Sequence, residues 1–455
     1  MEEYDYLHNM SPTSREKPDY GEMLRNLTQE EPWFCVQPFI NMYVSNYGLP
    51  HPCSNTTVCV KKHISTLKLD DIWNEPELHK LREEMVHGHS TEMIETVCTR
   101  CIETETNGYV STRMHSNKSV QNDDQAQKEL TRLVKFVEQN KGAAYPIPDV
   151  VHTIRIKTWG NYCNLQCLMC SPEDSSGVAK ELMEIGEMSA DDILLRSEQR
   201  ADMKMPWTPP LIYHSDHNVD MDDFWNLVKR TKRIQLIGGE TWLIKPNVRI
   251  LEKCVEEGWA KDITIFCFSN NFGHPNMDYI LDLLSQFKSV IYKCSLELWG
   301  EKNNYIRYPS DWNEVYGNMI KISKMPNVQI GFNPTINPIN AGYADELLKG
   351  AMEFGVEPSF MHIGRPSWFT LKSVPEDIKN HHLDRLYNNS YEVIDKLSKV
   401  IDYLEQAQFD EYWYHHMIGA ILKRDQNRGD SILNNFPEWK PHFERIAYYR
   451  FKHDL

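Results

Sequence analysis

Val151-His-Thr-Ile-Arg-Ile-Lys-Thr158 runs straight into Trp159-Gly-Asn-Tyr-Cys163-Asn-Leu-Gln-Cys167-Leu-Met-Cys170-Ser171-Pro172. The first eight residues carry the β-branched alternation of a strand. The loop that follows places three thiols at CxxxCxxC spacing. Three soft sulfur ligands this close in sequence suit an iron–sulfur cluster or zinc. A structural zinc wants a fourth ligand close by, and no His or Cys follows immediately. A cluster with one iron left open would let a small molecule coordinate there.

Downstream the chain alternates strands with helices. Candidate strands are 151–158, 233–237, 262–268, 289–296, 328–335 and 358–363, with helical patterns at 246–258, 277–287, 311–324 and 342–354. Six strands alternating with helices predict parallel βαβ units and a curved sheet or partial barrel. The first crossover, 171–232, is longer than the others. Its Met203, Met205, Pro206, Trp207, Pro209 and Pro210 suggest a cover over the site. Residues 375–455 read as helices rich in Tyr and Trp.

Upstream, residues 1–30 are polar and read as an extension. Residues 33–60 read as a hairpin, with Val36–Val44 as a strand and Asn46-Tyr47-Gly48-Leu49-Pro50 as its turn. Residues 70–87 read as a helix capped by Asp70 or Asp71. Gln125–Asn140 reads as a second helix with an apolar stripe of Leu130, Leu133, Val134 and Val137, and 141–148 as a linker.

The 455 residues suffice for two or three domains. The N-terminus lacks the apolar run of a secretory signal. No uncharged stretch nears the ~18 residues of a membrane span. The expected location is therefore cytoplasmic, with no membrane partner. A net charge of −16 argues against general nucleic-acid binding, which needs clustered Lys and Arg. Among 11 cysteines in such a chain, metal or redox chemistry outweighs disulfides.

The three-cysteine loop after the first strand resembles that of the radical S-adenosylmethionine (SAM) superfamily. The resemblance implies a 4Fe–4S cluster on Cys163, Cys167 and Cys170, SAM as the ligand of its open iron, and a 5′-deoxyadenosyl radical as the product of reductive cleavage. Gly238-Gly239-Glu240-Thr241 resembles the family's GGEP motif, with Thr241 in place of Pro. Its glycines would let backbone approach SAM, and Glu240 would hold the amine. Ser295 and Glu297, expected on one face of the fourth strand, match the ribose motif. Arg307 matches the arginine that pairs with the SAM carboxylate, and Met169 the adenine-contacting position. Read without the resemblance, Ser295 and Glu297 suit a solvated strand end, Arg307 a salt bridge and Met169 a core position.

Cys35, Cys53, Cys98 and Cys101 form a second set: one cysteine at each end of the hairpin, then a CxxC after the helix. This resembles the Twitch auxiliary-cluster domain, a relative of SPASM. The resemblance implies a second, fully ligated 4Fe–4S cluster. A four-cysteine zinc site fits the spacing equally well. Cys59 is a spare thiol. Cys254, Cys267 and Cys294 read as buried small hydrophobes.

The expected architecture is α/β: a partial (β/α)6 radical SAM barrel over 151–365 behind a small cysteine-rich α+β Twitch domain (31–124). A helix and linker (125–150) join the two, and C-terminal helices (366–455) follow. Polar residues expected near substrate are Lys157, Ser269, Asn270, Lys293, Asn333, Thr335, Asn337, His362 and Arg365, with Lys293 facing inward beside Ser295. The resemblance implies an oxidoreductase that takes a hydrogen from an unactivated C–H bond of a small molecule or peptide. It also implies a low-potential donor such as flavodoxin or ferredoxin. The alternatives are a ribosomal-peptide or protein maturase or epimerase, and a nonenzymatic iron–sulfur or zinc protein.

Overall fold

The computed structural model describes residues 33–45, 49–56, 60, 62, 68–86, 92–106, 110–121, 123–148, 150–157, 160–189 and 221–444. The expected extension (1–30), the 46–48 turn, Cys59, Trp159, and the Met- and Pro-rich part of the long crossover lie outside the described residues.

One sheet organises the chain. Its strands are β1 (Asn41–Val44), β2 (Pro50–His51), β3 (Val151–Ile156), β4 (Thr231–Leu236), β5 (Thr264–Ser269), β6 (Ser289–Cys294) and β7 (Val328–Phe332), ordered β2-β1-β3-β4-β5-β6-β7. All neighbours pair in parallel except β2 with β1. The fold is therefore mixed α/β around a mostly parallel sheet. Helices Lys245–Glu256, Met277–Ser285 and Trp312–Ser323 connect successive strands from β4 to β7. Their apolar stripes, such as Ile250, Leu251 and Cys254, are buried, as are Ile265, Cys267, Val290, Tyr292 and Cys294 of β5 and β6. From β3 onward each strand lies beside the next in sequence. A doubly wound sheet reverses that order, whereas a (β/α) barrel keeps it.

Three expectations change. The strand expected at 358–363 does not join this sheet. Only β8 (Thr335–Ile336) and β9 (Met361–His362) pair, as a separate two-stranded sheet. Pro334, with no N–H to give, interrupts the fifth expected strand at Phe332 and starts it again at Thr335. The 358–363 segment still follows the bend, donating from Ser359 N to Phe332 O (2.9 Å) and from Met361 N to Pro334 O (2.9 Å). Second, Val36–Val44 is only half strand. Gln37–Ile40, with Pro38 in its first turn, is helical, and β1 extends the main sheet beside β3. Third, the 70–87 helix is two, Leu69–Trp73 and Pro76–Val86, divided before Pro76.

The helix Asp124–Gln139 is capped by Asp123 and buries the expected stripe of Leu130, Leu133, Val134 and Val137. At the C-terminal end, helices Glu376–Tyr387, Ser398–Gln406 and Glu411–Arg428 join the same core through Leu386, Leu404, Met417 and Ile421. Among the described residues no helix is long and apolar enough to cross a membrane.

Candidate active site

The three-cysteine loop leaves the carboxyl end of β3 and is tied down from four directions. Tyr162 O accepts from Glu240 N (2.8 Å) and Asn161 O from Ser176 N (2.9 Å). The Ser176 hydroxyl accepts from Cys163 N (3.1 Å), and the Ser175 hydroxyl donates to Leu165 O (3.0 Å). Gln166 N and Leu168 N donate to Tyr308 O (2.6 Å) and Ile306 O (3.0 Å). Arg428 closes the set from the C-terminal helix, donating to Gln166 O (2.6 Å).

The glycines make this closeness possible. A Cβ on Gly239 would collide with the carbonyl oxygens of Asn161 and Tyr162, and one on Gly177 with that of Leu165. The Gly239 gap therefore accommodates the cysteine loop itself, and the Gly238 gap the side chain of Ile244. Gly177, Ser175 and Ser176 were not singled out from sequence; a Ser-Ser-Gly start to the helix Ser176–Glu184 was the available signal.

A cavity of about 260 Å³ opens beside the loop. Cys163, Gly238, Gly239, Glu240, Ser295 and Arg307, drawn from four separate motifs, all line it. Arg155, Lys157, Phe268 and Asn270 contribute further wall. Cys167 is buried, and Met169 packs against the core. Glu297 is not on the wall. The strand ends at Cys294, and Glu297 N and Leu298 N turn to donate to Asn303 Oδ1 (3.0 and 3.3 Å), so the strand phase that paired Glu297 with Ser295 no longer applies.

Glu297 instead holds Arg307. Its Oε1 accepts from Arg307 Nη1 (2.9 Å) and its Oε2 from Thr335 N (2.7 Å). Burial, only partly offset by Arg307, pushes the Glu297 carboxyl up to about 7. The Arg307 guanidinium pKa rises although burial opposes it, because Cys167, Glu297, Cys163 and Cys170 all attract the charge. Its Nε is shielded from solvent and makes no hydrogen bond. Glu240 is buried, with no lysine or arginine paired to it among the described residues. Its Oε1 accepts from the Ser269 hydroxyl (2.8 Å), with His274 Nε2 at 3.4 Å, and its Oε2 from Asn270 N (2.8 Å).

The loop thiols are protonated when nothing binds them. Burial, then Cys167 and Glu240, pushes Cys163 up to about 12, and burial raises Cys167 and Cys170 as well. Metal binding would have to expel those protons. Among the described residues no three His, Cys, Asp or Glu side chains close on one point as a single ion requires. A cuboidal cluster gives each cysteine its own iron and makes no such demand. The free thiols, the buried cation among them and its orphaned Nε fit a thiolate-bound cluster with an anionic ligand beside it.

The second set is also assembled from free thiols. Burial raises Cys35 well above its ordinary value, with Cys53 and Cys98 adding to it, and burial pushes Cys53 up to about 11, with Cys101 contributing. Asn55 spans the group, its N–H directed at Cys53 Sγ (3.4 Å) and its Nδ2 at Cys101 Sγ (3.7 Å). Cys254, Cys267 and Cys294 are fully buried, as expected of packing residues.

Of the expected substrate-side residues, Lys157 and Asn270 reach the cavity. Ser269 serves Glu240, Asn337 closes a turn by accepting from Ile339 N (3.0 Å), and His362 meets the Tyr403 ring edge-on.

No family model matches the chain, and no curated protein matches it. Among solved structures it is similar to Streptococcus suis SuiB bound to S-adenosylmethionine, at 14% identity over 71% of this chain and 63% of that one, with a TM-score of 0.34. SuiB bound to precursor peptide SuiA gives 13%, 80%, 70% and 0.34. TYW1 with a lysine-pyruvate adduct gives 16%, 52%, 74% and 0.26. The chain thus spans less than two thirds of the first of these. At such identities and TM-scores, what those proteins bind remains a property of those proteins.

Proposed function

We propose that this chain is a radical SAM enzyme that abstracts hydrogen from an unactivated C–H bond. The observation that carries the reading is Arg307: a buried guanidinium that lines the cavity beside all three loop thiols, and whose Nε makes no hydrogen bond. A 4Fe–4S cluster on Cys163, Cys167 and Cys170 supplies, when bound, the electron that cleaves SAM to the 5′-deoxyadenosyl radical.

The chain's own residues hold SAM in place. Arg307 pairs with its carboxylate, and Glu297 keeps the guanidinium oriented. Glu240, buried and with no lysine or arginine paired to it among the described residues, accepts from the SAM ammonium. Ser295 meets the ribose. Cys35, Cys53, Cys98 and Cys101 would hold an auxiliary cluster, which would supply an electron acceptor for oxidation or bond formation on a small molecule or peptide. A low-potential flavodoxin or ferredoxin delivers electrons.

Anaerobic reconstitution with iron and sulfide tests this. About eight irons per chain are expected, and about four after C163A/C167A/C170A. One tightly held zinc per cysteine set, with no iron, overturns it.

A further inference from the structure

The loop that leaves β5 folds back on itself. Asn271 has a left-handed backbone (φ 59°), which asparagine tolerates, and Gly273 has a second (φ 68°). A Cβ on Gly273 would collide with the side chain of Asn164. That side chain, one residue after Cys163, donates to Phe272 O (2.7 Å) and accepts from Asn270 Nδ2 (2.9 Å). Asn318, in the helix Trp312–Ser323, holds the loop from the other side by donating to Asn271 O (2.9 Å). The double bend returns His274 to Ser269, with its side chain only 1% exposed.

Hydrogen-bond accounting shows what His274 does there. A carboxylate can only accept. The Ser269 hydroxyl has one proton, which goes to Glu240 Oε1 (2.8 Å), and its oxygen already accepts from Asn271 N (3.1 Å). His274 Nε2 lies 3.4 Å from both Glu240 Oε1 and Ser269 Oγ, and neither has a proton to give it. Nε2 is therefore the donor, shared between the two oxygens. Nδ1 is shielded from solvent and makes no hydrogen bond. Trp242 N also donates to Oε1 (3.4 Å), so three donors converge on that oxygen. Among the described residues Oε2 receives only Asn270 N (2.8 Å).

We propose that His274 is a positioning residue for Glu240: with Ser269 and Trp242 it saturates Oε1, so that Oε2 receives the ammonium of SAM. Glu240 lines the cavity, and an oxygen with one donor keeps a second lone pair open. A carboxylate held at one oxygen only by Ser269 could rotate about its last bond. Three donors on that oxygen fix its plane before the ligand arrives. His274 suits the task because a buried ring has little freedom left to lose. This rests on the radical SAM reading, because it concerns the amine end of that ligand.

The test is equilibrium binding of SAM to the reconstituted full chain, run as a double-mutant cycle between His274 and Glu240. His274→Phe keeps a buried ring but not the donor, and should weaken SAM binding by roughly five- to ten-fold. His274→Gln keeps a donor and should recover most of that loss. Glu240→Gln removes the charge that draws the ammonium. On that background His274→Phe should cost less than about two-fold more. If His274→Phe does not fold, as read by thermal melt and iron content, Ser269→Ala takes its place in the same cycle. A merely structural role gives the same loss on both backgrounds. Equal losses, or no loss on either, with SAM still bound by the wild type, overturn this role alone. An iron-loaded wild type that binds no SAM overturns the radical SAM reading, and this role with it.

Discussion

Arg428 Nη2 donates to the carbonyl oxygen of Gln166 across 262 residues of sequence, at 2.6 Å, inside the three-cysteine loop. The same guanidinium grips Glu181 through Nε (2.6 Å) and Nη2 (2.9 Å), and it lies over the Tyr308 ring, 4.8 Å from its centre. Glu181 is fully buried, with Arg424 at 3.3 Å as a second partner. The last turn of the helix Glu411–Arg428 thus fixes the loop that carries the cysteines.

Removing one partner of a buried, forked ion pair costs roughly 3–5 kcal/mol. Arg428→Met should lower Tm by several degrees, and the loop cysteines should lose iron on desalting before the other four do. Arg428→Lys keeps the charge but not the fork, and should fall between. Iron retention equal to wild type would mean that the C-terminal helix does not support the loop.

Gly239→Ala must push back the carbonyl oxygens of Asn161 and Tyr162, which are backbone and cannot swing away. It should destabilise by roughly 1–3 kcal/mol and abolish SAM binding. Gly317, inside the helix Trp312–Ser323, has open space where its Cβ would be. Gly317→Ala should instead stabilise by about 0.5–1 kcal/mol. Paired thermal melts read both signs.

What the sequence disclosed followed the range of the interaction. The three-cysteine loop was legible because all three thiols sit together directly behind an alternating strand. β3 to β7 were legible because their alternation is local. The pairing of β1 with β3 was not, since partner choice between segments about a hundred residues apart leaves no local pattern. Glu297 was placed by a strand phase that ended three residues too soon. Arg155 stayed hidden in an ordinary strand alternation, and Arg428 in a helix with no visible tie to the loop.

In the proposed reading a SAM carboxylate shares Arg307 with Glu297, whose Oε1 orients the guanidinium while its charge competes for it. The Glu297 carboxyl titrates at about 7, so below that pH it is neutral and releases more of the guanidinium. SAM affinity should therefore rise as pH falls through about 7, and Glu297→Gln should remove that step. Equilibrium binding across pH 6 to 8 (about two units around the titration) decides it. An unchanged step in Glu297→Gln would assign the titration elsewhere.

His51 and His382 are both buried, and burial holds each down to about 4. His382 contacts Pro338 O through Nε2 (3.0 Å) beneath Gly342. A histidine with a depressed folded pKa gives its full stability above about 6.5 and loses it as pH falls toward 4. Each shift corresponds to roughly 3 kcal/mol. Urea midpoints should fall steadily between pH 6.5 and 4, and less so in His382→Gln. A flat profile would show that neither ring is held neutral by the fold.

The central claim is that Cys163, Cys167 and Cys170 carry the cluster that cleaves SAM. Its most direct test is 5′-deoxyadenosine formation by the reconstituted protein with SAM and dithionite under anaerobic conditions. The account predicts product from the wild type and from C35A/C53A/C98A/C101A, and none from C163A/C167A/C170A. Product that persists in C163A/C167A/C170A, or no product from an iron-loaded wild type, would contradict it.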